Sequence, residues 1–257
     1  MAQPVASYRV PPSWKVVWIT GASTGIGREI AIRLAASGVV AAVSARSADK
    51  LASLSAMSPN IKAFPLDVAD LASTRETAAR IERELGPIDL AILNAGVWYP
   101  MEAKHFDPEL VTKAMGINYT GVTNALGPLI PAMIGRKAGH IAIVASVAGY
   151  RGLPVAATYA PTKAALINLA EVLYPDLMDY NVKVTVINPG FVDTPMTSVN
   201  AFPMPFMVPT EQAADTIIKG LIKGKFEIVF PWRMMVLSKF MRLLPYRAYF
   251  AIVNSLP

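Results

Sequence analysis

Short runs of apolar and β-branched residues recur along the chain and alternate with longer segments of helical character. These runs predict seven buried strands, at residues 15–20, 39–44, 61–66, 88–93, 141–146, 182–187 and 226–230. Strands that alternate with helices are typical of a parallel sheet covered by helices on both faces. The pattern therefore predicts an α/β protein built on a doubly wound parallel sheet of about seven strands.

The segments between the strands carry their own signals. Asp70 is placed as the N-cap of one helix, and Thr210 is placed as the cap of a later one. A long helical stretch over 108–134 contains Pro128, which predicts a bend because proline removes a backbone hydrogen bond. The segment 191–209 is too rich in proline for regular structure, and its Met and Phe content predicts an apolar lid.

The length of 257 residues fits a single domain over 1–257, with a loose N-terminal arm at 1–14 and a C-terminal extension at 231–257. The N-terminus lacks the apolar run of a signal peptide, and no uninterrupted apolar stretch reaches the length of a membrane span. These features predict a cytoplasmic protein.

Composition excludes several kinds of chemistry. With no cysteine, the chain has no disulfide, no thiolate metal site and no cysteine nucleophile. His105 and His140 are the only histidines, so a histidine-rich metal site is not expected. Hydrophobic residues make up 53% of the chain and charged residues 16%, which makes it an apolar protein for its size.

Positive charge is concentrated at the C-terminal end. The net charge is +6, and the residues from Lys219 onward carry seven basic side chains against the single acid Glu227. The rest of the chain is therefore electrically balanced. Such a split argues against a uniform nucleic-acid-binding surface and favours a local contact made by the tail.

The extension contains a basic amphipathic segment over 232–244, projected at about 100° per residue. Its apolar arc consists of Trp232, Val236, Leu237, Phe240, Met241, Leu243 and Leu244. Ser238, Lys239 and Arg242 fall opposite this arc, and Arg233 is an exception. A helix of this kind can lie in a membrane interface as a peripheral contact. The alternative, which we favour on sequence alone, is a helix that folds over the substrate pocket or packs in a subunit interface.

A glycine-rich turn follows the first predicted strand. Gly21, Gly25 and Gly27 lie between that strand and a helical segment, in the spacing G-x-x-x-G-x-G. Strand, glycine turn and helix in this order favour a dinucleotide site, where the backbone approaches a pyrophosphate at the helix N-terminus. A simple tight turn is the alternative.

Small or polar residues also stand at the ends of other predicted strands. Arg46 follows the second strand in place of the acid usual at an NAD ribose, and its guanidinium could pair with a 2′-phosphate, which favours NADP. Asp67 and Val68 follow the third strand, where a carboxylate could meet the adenine amino group. The remaining ends carry Asn94, Ala95, Gly96, Pro189 and Gly190. Sites in doubly wound sheets lie beyond the carboxyl ends of the strands, so we expect one shared site.

The stretch around the fifth strand carries candidate catalytic chemistry. Ser146 ends the strand, and Tyr159 and Lys163 open the next helix, four residues apart and therefore on one helix face. An ammonium close to a phenol favours the phenolate, so we expect Lys163 to lower the pKa of Tyr159 from its reference of about 10. A tyrosine tuned in this way can donate a proton near neutral pH. A lone Tyr-x-x-x-Lys pair also occurs by chance, so the catalytic assignment depends on the other motifs of the chain.

Over residues 15–230 the chain resembles the short-chain dehydrogenase/reductase family. The matching motifs are TGASTGIG at 20–27, NAG at 94–96, Asn118, Ser146, Tyr159-x-x-x-Lys163 and NPGFVDT at 188–194. The resemblance implies a Rossmann-like fold and an NAD(P)-dependent oxidoreductase. It implies that Tyr159 is the general acid/base and that Ser146 hydrogen-bonds the substrate oxygen. Lys163 would bind the nicotinamide ribose and lower the Tyr159 pKa, and Asn118 would hold a proton-relay water.

The resemblance also implies a cofactor site and supports Arg46 as a determinant of NADP(H) over NAD(H). The implied cofactor-binding residues are Gly21, Ser23, Thr24, Gly25, Ile26, Gly27, Arg46, Asp67, Val68, Asn94, Ala95, Gly96, Tyr159, Lys163, Pro189, Gly190, Val192 and Thr194. Two positions depart from the family pattern. Pro161 replaces a residue of the frequent YSASK run and is tolerable only in the first helical turn, and Leu93 precedes NAG where asparagine is frequent.

Together these features predict an NADPH-dependent reductase of a hydrophobic ketone or aldehyde, which runs in reverse as an alcohol dehydrogenase. Candidate substrate-pocket residues are Val97, Trp98, Tyr99, Tyr150, Leu153, Phe191 and Met196. A homodimer or homotetramer is expected, and a nucleic-acid partner is not. One alternative is a catalytically idle NADPH-binding scaffold, against which the intact catalytic set argues. Another is an epimerase or dehydratase, which the lack of a larger C-terminal substrate domain disfavours.

Overall fold

A seven-stranded parallel sheet forms the centre of the protein in the computed structural model, which describes residues 7–200 and 202–255. The strands are β1 (Val16–Thr20), β2 (Val40–Ser44), β3 (Ile61–Ala63), β4 (Leu90–Leu93), β5 (Gly139–Val144), β6 (Val182–Pro189) and β7 (Glu227–Phe230). All seven coincide with strands predicted from the apolar runs, although β3 ends earlier and β6 extends further. The predicted Rossmann-like fold class is confirmed.

The chain adds strands first on one side of β1 and then on the other, so the switch between the two sides lies in the middle of the sheet. The order is β3-β2-β1-β4-β5-β6-β7, and every neighbouring pair is parallel. From β1 the chain first builds outward through β2 and β3, then returns to the other side of β1 as β4. A crevice opens at such a switch point, beyond the carboxyl ends of the strands.

Helices cover both faces of the sheet. They are α1 (Gly25–Ala36), α2 (Ala48–Ser55), α3 (Leu71–Leu85), α4 (Pro108–Met115), α5 (Gly121–Arg136), α6 (Ala160–Met178), α7 (Thr210–Ile222), α8 (Trp232–Leu243) and α9 (Tyr246–Val253). Alternate residues of β1 serve the two sides, with Val17 and Ile19 in one core cluster and Val16 and Trp18 in the other. The first cluster includes side chains of α1, α2 and α7, and the second includes side chains of α3, α5 and α6. Burial on both faces explains why the strands are almost wholly apolar.

The helical stretch over 108–134 was predicted to bend near Pro128, but it is interrupted earlier. A π-helical turn, Gly116–Thr120, separates α4 from α5, and Pro128 lies within α5. Insertions of this kind in helices are frequent at functional sites. Gly121 starts α5 directly against Val68, where an added Cβ would come within 2.6 Å of Val68 Cγ2.

The two predicted helix caps have different outcomes. Asp70 caps α3 as predicted, because its carboxylate accepts a hydrogen bond from the Ser73 backbone N–H at 3.0 Å. Thr210 is the first helical residue of α7 instead of its N-cap, which is Pro209. The Thr210 hydroxyl donates to the Asp193 carbonyl, so it ties α7 to the predicted lid segment.

The predicted N-terminal arm packs against the domain over its described part. The Tyr8 hydroxyl donates to Asp215 on α7 at 2.9 Å, and Trp14 is buried in the core cluster of that face. The expectation of a loose arm is therefore wrong for residues 7–14. Residues 1–6 of the arm lie outside the described residues.

The C-terminal extension forms two helices where the sequence predicted one amphipathic segment. Residues 232–243 form α8, and α9 follows after Pro245. Residues 256–257 lie outside the described residues. Of the helices in the described part of the chain, none has the length and apolar character needed to cross a bilayer.

Candidate active site

One cavity of about 400 Å³ lies beyond the carboxyl ends of β1, β2, β4, β5 and β6. All the cofactor-binding residues predicted from the sequence line it except Gly27. Its wall also includes residues that the sequence did not indicate, namely Ala45, Ser47, Lys50, Leu66, Ile117, Val144, Ala145, Pro195 and Thr197. The strand ends therefore converge on one site, as the parallel arrangement requires.

The glycine turn lets β1 and β4 approach each other closely. Gly21 has φ +67°, and an added Cβ would lie 2.7 Å from the Ala95 Cα atom. The Thr20 hydroxyl accepts hydrogen bonds from the N–H groups of Asn94 (3.0 Å) and Ala95 (3.1 Å). The Asn94 amide donates back to the carbonyls of Thr20 and Gly21, both at 3.1 Å. These bonds fix the shape of the crevice before any ligand enters.

Two further glycines of the turn have separate roles. Gly25 begins α1 with φ +57°, and an added Cβ there would meet the Thr194 methyl at 3.2 Å across the cavity. Gly27 lies behind the cavity wall, where a Cβ would meet the Asn94 amide nitrogen at 2.7 Å. The wall therefore has bare backbone at the N-terminus of α1, where a phosphate is favoured by the helix dipole.

Positive charge lines one end of the cavity. Arg46, Ser47 and Lys50 follow β2 and open α2, and all three line the cavity wall. Arg46 was predicted from the sequence, and Lys50 was not. Arg46 precedes the N-cap of α2 and Lys50 lies in its first turn, so the spacing of the two residues gave no signal that both would face the cavity.

Asp67 and Val68 border the same region. The Asp67 carboxylate accepts a hydrogen bond from the Ala69 N–H at 3.0 Å, and Val68 packs into the core. The Asn124 amide of α5 donates to the Val68 carbonyl at 2.9 Å. This loop is thereby held against α5.

Asn118 occupies the π-helical turn and is fully buried. Its Oδ1 accepts a hydrogen bond from the Val97 N–H at 2.7 Å, and its Nδ2 donates to the Val97 carbonyl at 3.0 Å. Nδ2 also donates to the Thr162 hydroxyl at 3.1 Å. Asn118 thus ties the loop after β4 to the start of α6, beside the cavity, while its neighbour Ile117 lines the wall.

Ser146, Tyr159 and Lys163 all line the cavity. Ser146 follows β5, where its hydroxyl accepts from the Ala148 N–H at 3.1 Å and donates to the Pro189 carbonyl at 3.3 Å. Tyr159 is the N-cap of α6 and Lys163 lies one turn along. Pro161 falls in the first turn of α6, as predicted.

The Lys163 ammonium is buried close to the Tyr159 ring. Only 3% of Lys163 is exposed, and its Nζ donates to the Val144 carbonyl at 2.8 Å. Nζ lies 5.3 Å from the centroid of the Tyr159 ring. Burial lowers the pKa of Lys163 to about 8. A shifted pKa inside a cleft is typical of functional sites.

The pKa of Tyr159 differs in direction from the sequence-based expectation. Burial raises it to about 12, and hydrogen bonding by Ser146 lowers it by a smaller amount. The expectation that Lys163 brings the Tyr159 pKa below its reference is therefore wrong for this geometry. Desolvation is the largest cause of the pKa shift of both groups. At neutral pH the phenol is protonated.

The predicted substrate-pocket residues are divided among three places. Val97 and Met196 line the cavity, and the Trp98 ring packs edge-on against the Tyr159 ring at 5.3 Å between centroids. Trp98 Nε1 donates to Asn200 Oδ1 at 2.8 Å, which joins it to the predicted lid. Phe191 packs against Phe202 at the base of that lid, 6.1 Å between centroids.

Tyr150, Leu153 and Tyr99 lie away from the cavity wall. Tyr150 is buried and its hydroxyl donates to Glu227 on β7, so its side chain points to the tail side of the sheet. Leu153 is exposed to solvent. Tyr99 packs beside Lys113 of α4, with Nζ 5.8 Å from its ring centroid. The assignment of Tyr150 and Leu153 to the pocket does not match these positions, because the loop after β5 turns toward α8. Tyr99 belongs to the loop after β4 and packs toward α4 instead.

The two ends of the predicted lid at 191–209 are joined. The Val208 N–H donates to the Phe191 carbonyl and the Asp193 N–H donates to the Val208 carbonyl, both at 3.0 Å. Residue 201 lies outside the described residues. In the part of the chain that the structure describes, no grouping of three or more acidic or histidine side chains offers a metal site.

Comparisons with known proteins agree with this geometry. A family model described as short chain dehydrogenase matches residues 15–202. An uncharacterized oxidoreductase of Myxococcus xanthus (strain DK1622) is 37% identical over 237 residues, which cover 91% of this chain and 94% of that protein. The 2,3-dihydro-2,3-dihydroxybenzoate dehydrogenase of Bacillus subtilis (strain 168) is 35% identical over 214 residues, which cover 81% and 79%.

A solved structure is similar in fold. The short chain dehydrogenase/reductase of Burkholderia phymatum, in complex with NAD, superposes with a TM-score of 0.81 at 23% sequence identity. The match covers 88% of this chain and 92% of that one. At this level of identity the likeness concerns the fold alone.

The lowered pKa of Lys163 predicts a pH dependence of stability. Between pH 8 and 10.5 the unfolded chain binds one more proton at this residue than the folded chain. The free energy of unfolding should therefore rise with pH across this window, by up to about 3 kcal/mol. Lys163→Met should lack this gain. The comparison, by chemical denaturation, should stop at pH 10, because the raised Tyr159 pKa gives the opposite slope above its reference value.

A constant difference in unfolding free energy between wild type and Lys163→Met from pH 7 to pH 10 would contradict the burial of a titrating ammonium at this position. A rise in the free energy of unfolding with pH that only wild type shows would support this burial.

Proposed function

Because this chain belongs to the short chain dehydrogenase family, whose members are NAD(P)-dependent oxidoreductases, we propose a specific activity for it. The protein uses NADPH to reduce a hydrophobic ketone or aldehyde to an alcohol, and the reaction is reversible. The observation that carries the proposal is the convergence of Ser146, Tyr159 and Lys163 on the same cavity as the glycine turn.

The residues of the cavity fit a dinucleotide. Bare backbone at Gly25 leaves room for a pyrophosphate at the N-terminus of α1, since a Cβ there would meet Thr194 across the cavity. Lys163 Nζ and the backbone of Gly96 lie at the other end, where an added Cβ on Gly96 would come within 3.6 Å of that Nζ. This end is suited to the nicotinamide ribose. A nicotinamide cofactor, when bound, supplies or accepts the hydride.

A preference for NADPH rests on the charges after β2. Arg46 and Lys50 both line the cavity, at the place where an NAD-dependent site would usually have an acid. A guanidinium and an ammonium together can neutralise a 2′-phosphate, and the planar guanidinium can bind it through two hydrogen bonds. The neighbour from Burkholderia phymatum is described in complex with NAD. The preference of this chain therefore rests on its own two side chains.

Tyr159 is the proposed proton donor. Because burial raises its pKa to about 12, the phenol is protonated at neutral pH and can give its proton to a carbonyl oxygen during reduction. With a pKa of about 8, Lys163 is an ammonium at pH 7 and stabilises the phenolate as it forms. Ser146 presents a hydroxyl at the same wall, suited to orient the substrate oxygen.

Asn118 is proposed as a positioning residue for this set. Its amide holds Val97 on one side and Thr162 on the other, so it fixes the distance between the loop after β4 and the start of α6. The role of holding a proton-relay water, implied by the family, is part of the same proposal.

The substrate is proposed to be hydrophobic. Trp98 packs on the Tyr159 ring, and Val97 and Met196 line the cavity beside it. An apolar wall next to the proton donor favours a bulky, poorly hydrated carbonyl compound. That residues 1–257 form a single domain, and that the chain forms a homodimer or homotetramer, stay predictions.

Replacement of the phenol tests the proposed proton donor. Tyr159→Phe should lower kcat/KM for carbonyl reduction by about 10² to 10⁴-fold, because the general acid is lost, while NADPH binding is largely kept. The measurement is NADPH absorbance across a panel of bulky ketones and aldehydes, with NADPH binding followed by fluorescence. Tyr180→Phe, at an exposed tyrosine after α6, is the matched control.

Two results would decide against this role. Wild-type turnover by Tyr159→Phe would exclude the phenol as the proton donor. Binding of NADPH by wild type without turnover of any compound in a broad panel would favour the idle scaffold instead.

Removal of the positive charges tests the cofactor preference. The double variant Arg46→Ala, Lys50→Ala should raise KM for NADPH by about tenfold or more and leave KM for NADH nearly unchanged, because only NADPH carries the 2′-phosphate. Steady-state kinetics with both cofactors measure this. Lys62→Ala, at an exposed lysine of β3 outside the cavity, is the control for loss of surface charge. An equal effect on both cofactors, or on neither, would contradict the assignment.

A further inference from the structure

The C-terminal helices expose an apolar surface. Its members, here called the outer face, are Trp232, Val236, Phe240 and Leu243 of α8 with Tyr246 and Phe250 of α9. Their exposed fractions run from 52% for Phe250 to 84% for Leu243. On α8 the four residues recur at helical spacing and form one stripe. An exposed apolar patch of this kind marks an interaction site.

The opposite side of these helices is already occupied. Met234, Tyr249 and Val253 are buried. Met234 packs on Gly190 of the cavity wall, where an added Cβ would come within 2.9 Å of its Cγ atom. The orientation of α8 and α9 therefore turns the outer face away from the protein body.

Polar contacts fix the same orientation. Lys239 Nζ lies 2.5 Å from Glu227 Oε2 on β7. The Arg151 guanidinium, in the loop after β5, donates to the carbonyls of Arg242 (2.9 Å) and Leu244 (3.1 Å) at the end of α8. Rotation of α8 to bury the outer face would break these contacts. The sequence favoured a helix that folds over the pocket or packs in a subunit interface. Most of the apolar arc faces outward, so the first of these does not describe it, and the second stays a prediction.

Basic residues border the outer face. Arg233 lies beside the α8 stripe and Arg247 follows on α9, while Lys239 and Arg242 turn toward the protein body, where they contact Glu227 and the Tyr150 ring. All four belong to the tail that carries the whole positive excess of the sequence. The one acid of this tail, Glu227, is paired with Lys239. The partner of the outer face must therefore be apolar at its centre and negative around it.

From this arrangement we propose that α8 and α9 dock on the surface of an anionic lipid bilayer. Aromatic and aliphatic side chains would enter the boundary between headgroups and acyl chains, with Arg233 and Arg247 among the headgroups. A second copy of the chain fits less well, because a two-fold contact would bring the same basic residues of both copies together. Docking in this way needs no membrane-spanning segment.

The docking surface is continuous with the lid. The Arg233 guanidinium carbon lies 5.7 Å from the ring centroid of Phe206, and Phe206 and Met207 are themselves exposed. The docked protein would have the lid next to the lipid, and the cavity wall at Gly190 lies directly behind α8, where it packs on Met234. A hydrophobic compound could then reach the cavity without crossing bulk water.

The test is co-sedimentation of the full chain with vesicles of phosphatidylcholine alone and of phosphatidylcholine with phosphatidylglycerol, without substrate. Binding is expected only to the anionic vesicles and should weaken as salt is added. Phe240→Ser with Leu243→Ser should reduce vesicle affinity by about tenfold or more. Met57→Ser with Phe106→Ser, which removes two exposed apolar side chains elsewhere, is the matched control. Arg233→Gln with Arg247→Gln should cost about fivefold per charge removed and flatten the salt dependence.

Three outcomes would overturn the proposal. The first is failure of the folded, wild-type chain to bind anionic vesicles. The second is equal vesicle binding by wild type and by the Phe240/Leu243 variant. The third is a change in sedimentation coefficient caused by that variant in the absence of lipid, without vesicle binding by wild type, which would identify a second copy as the partner.

Discussion

The close contact between the backbones of Gly21 and Ala95 determines where the site can form. Beyond the paired ends of β1 and β4 no Cβ fits at Gly21, and the Thr20 hydroxyl and the Asn94 amide join the two strand ends. Because β1 is the strand from which the chain builds in both directions, this contact stands at the switch point of the sheet. The N-terminus of α1, the end of β2 and the end of β5 are placed around it. If the ends of β1 and β4 were further apart, the cavity would lose this narrow wall.

Burial has two effects on the chemistry of this cavity. It raises the pKa of Tyr159 and lowers that of Lys163, so the two groups are a protonated phenol and an easily deprotonated ammonium. The Val144 carbonyl and the Tyr159 ring compensate for part of the cost of burying Lys163. Such a site is ready to give up a proton when negative charge develops on a substrate oxygen. The loop after β5 connects this site to the tail, because Arg151 contacts the end of α8 and Tyr150 contacts β7.

Much of this arrangement could be predicted from the sequence, because it follows from local patterns. The apolar runs located all seven strands, and the residues just after them marked the cavity. The spacing of Tyr159 and Lys163 placed both on one helix face. Side-chain directions in loops could not be predicted in this way, and Tyr150 turns to Glu227 instead of the pocket. The direction of the Tyr159 pKa shift depends on burial, and the four-residue spacing between Tyr159 and Lys163 gives no information about burial. The outward direction of the α8 stripe is set by Met234 and Arg151, through contacts distant in sequence.

The most direct test of the account is the affinity for NADPH of Gly21→Ala, measured by fluorescence titration. The added Cβ would strain a backbone at φ +67° and push against Ala95, so the crevice should be distorted and NADPH binding lost or reduced by about a hundredfold. Gly152→Ala is the matched control, since within the described chain an added Cβ there has open space. Circular dichroism should report a folded protein for both variants. Wild-type affinity in folded Gly21→Ala would contradict a dinucleotide site at the switch point of this sheet.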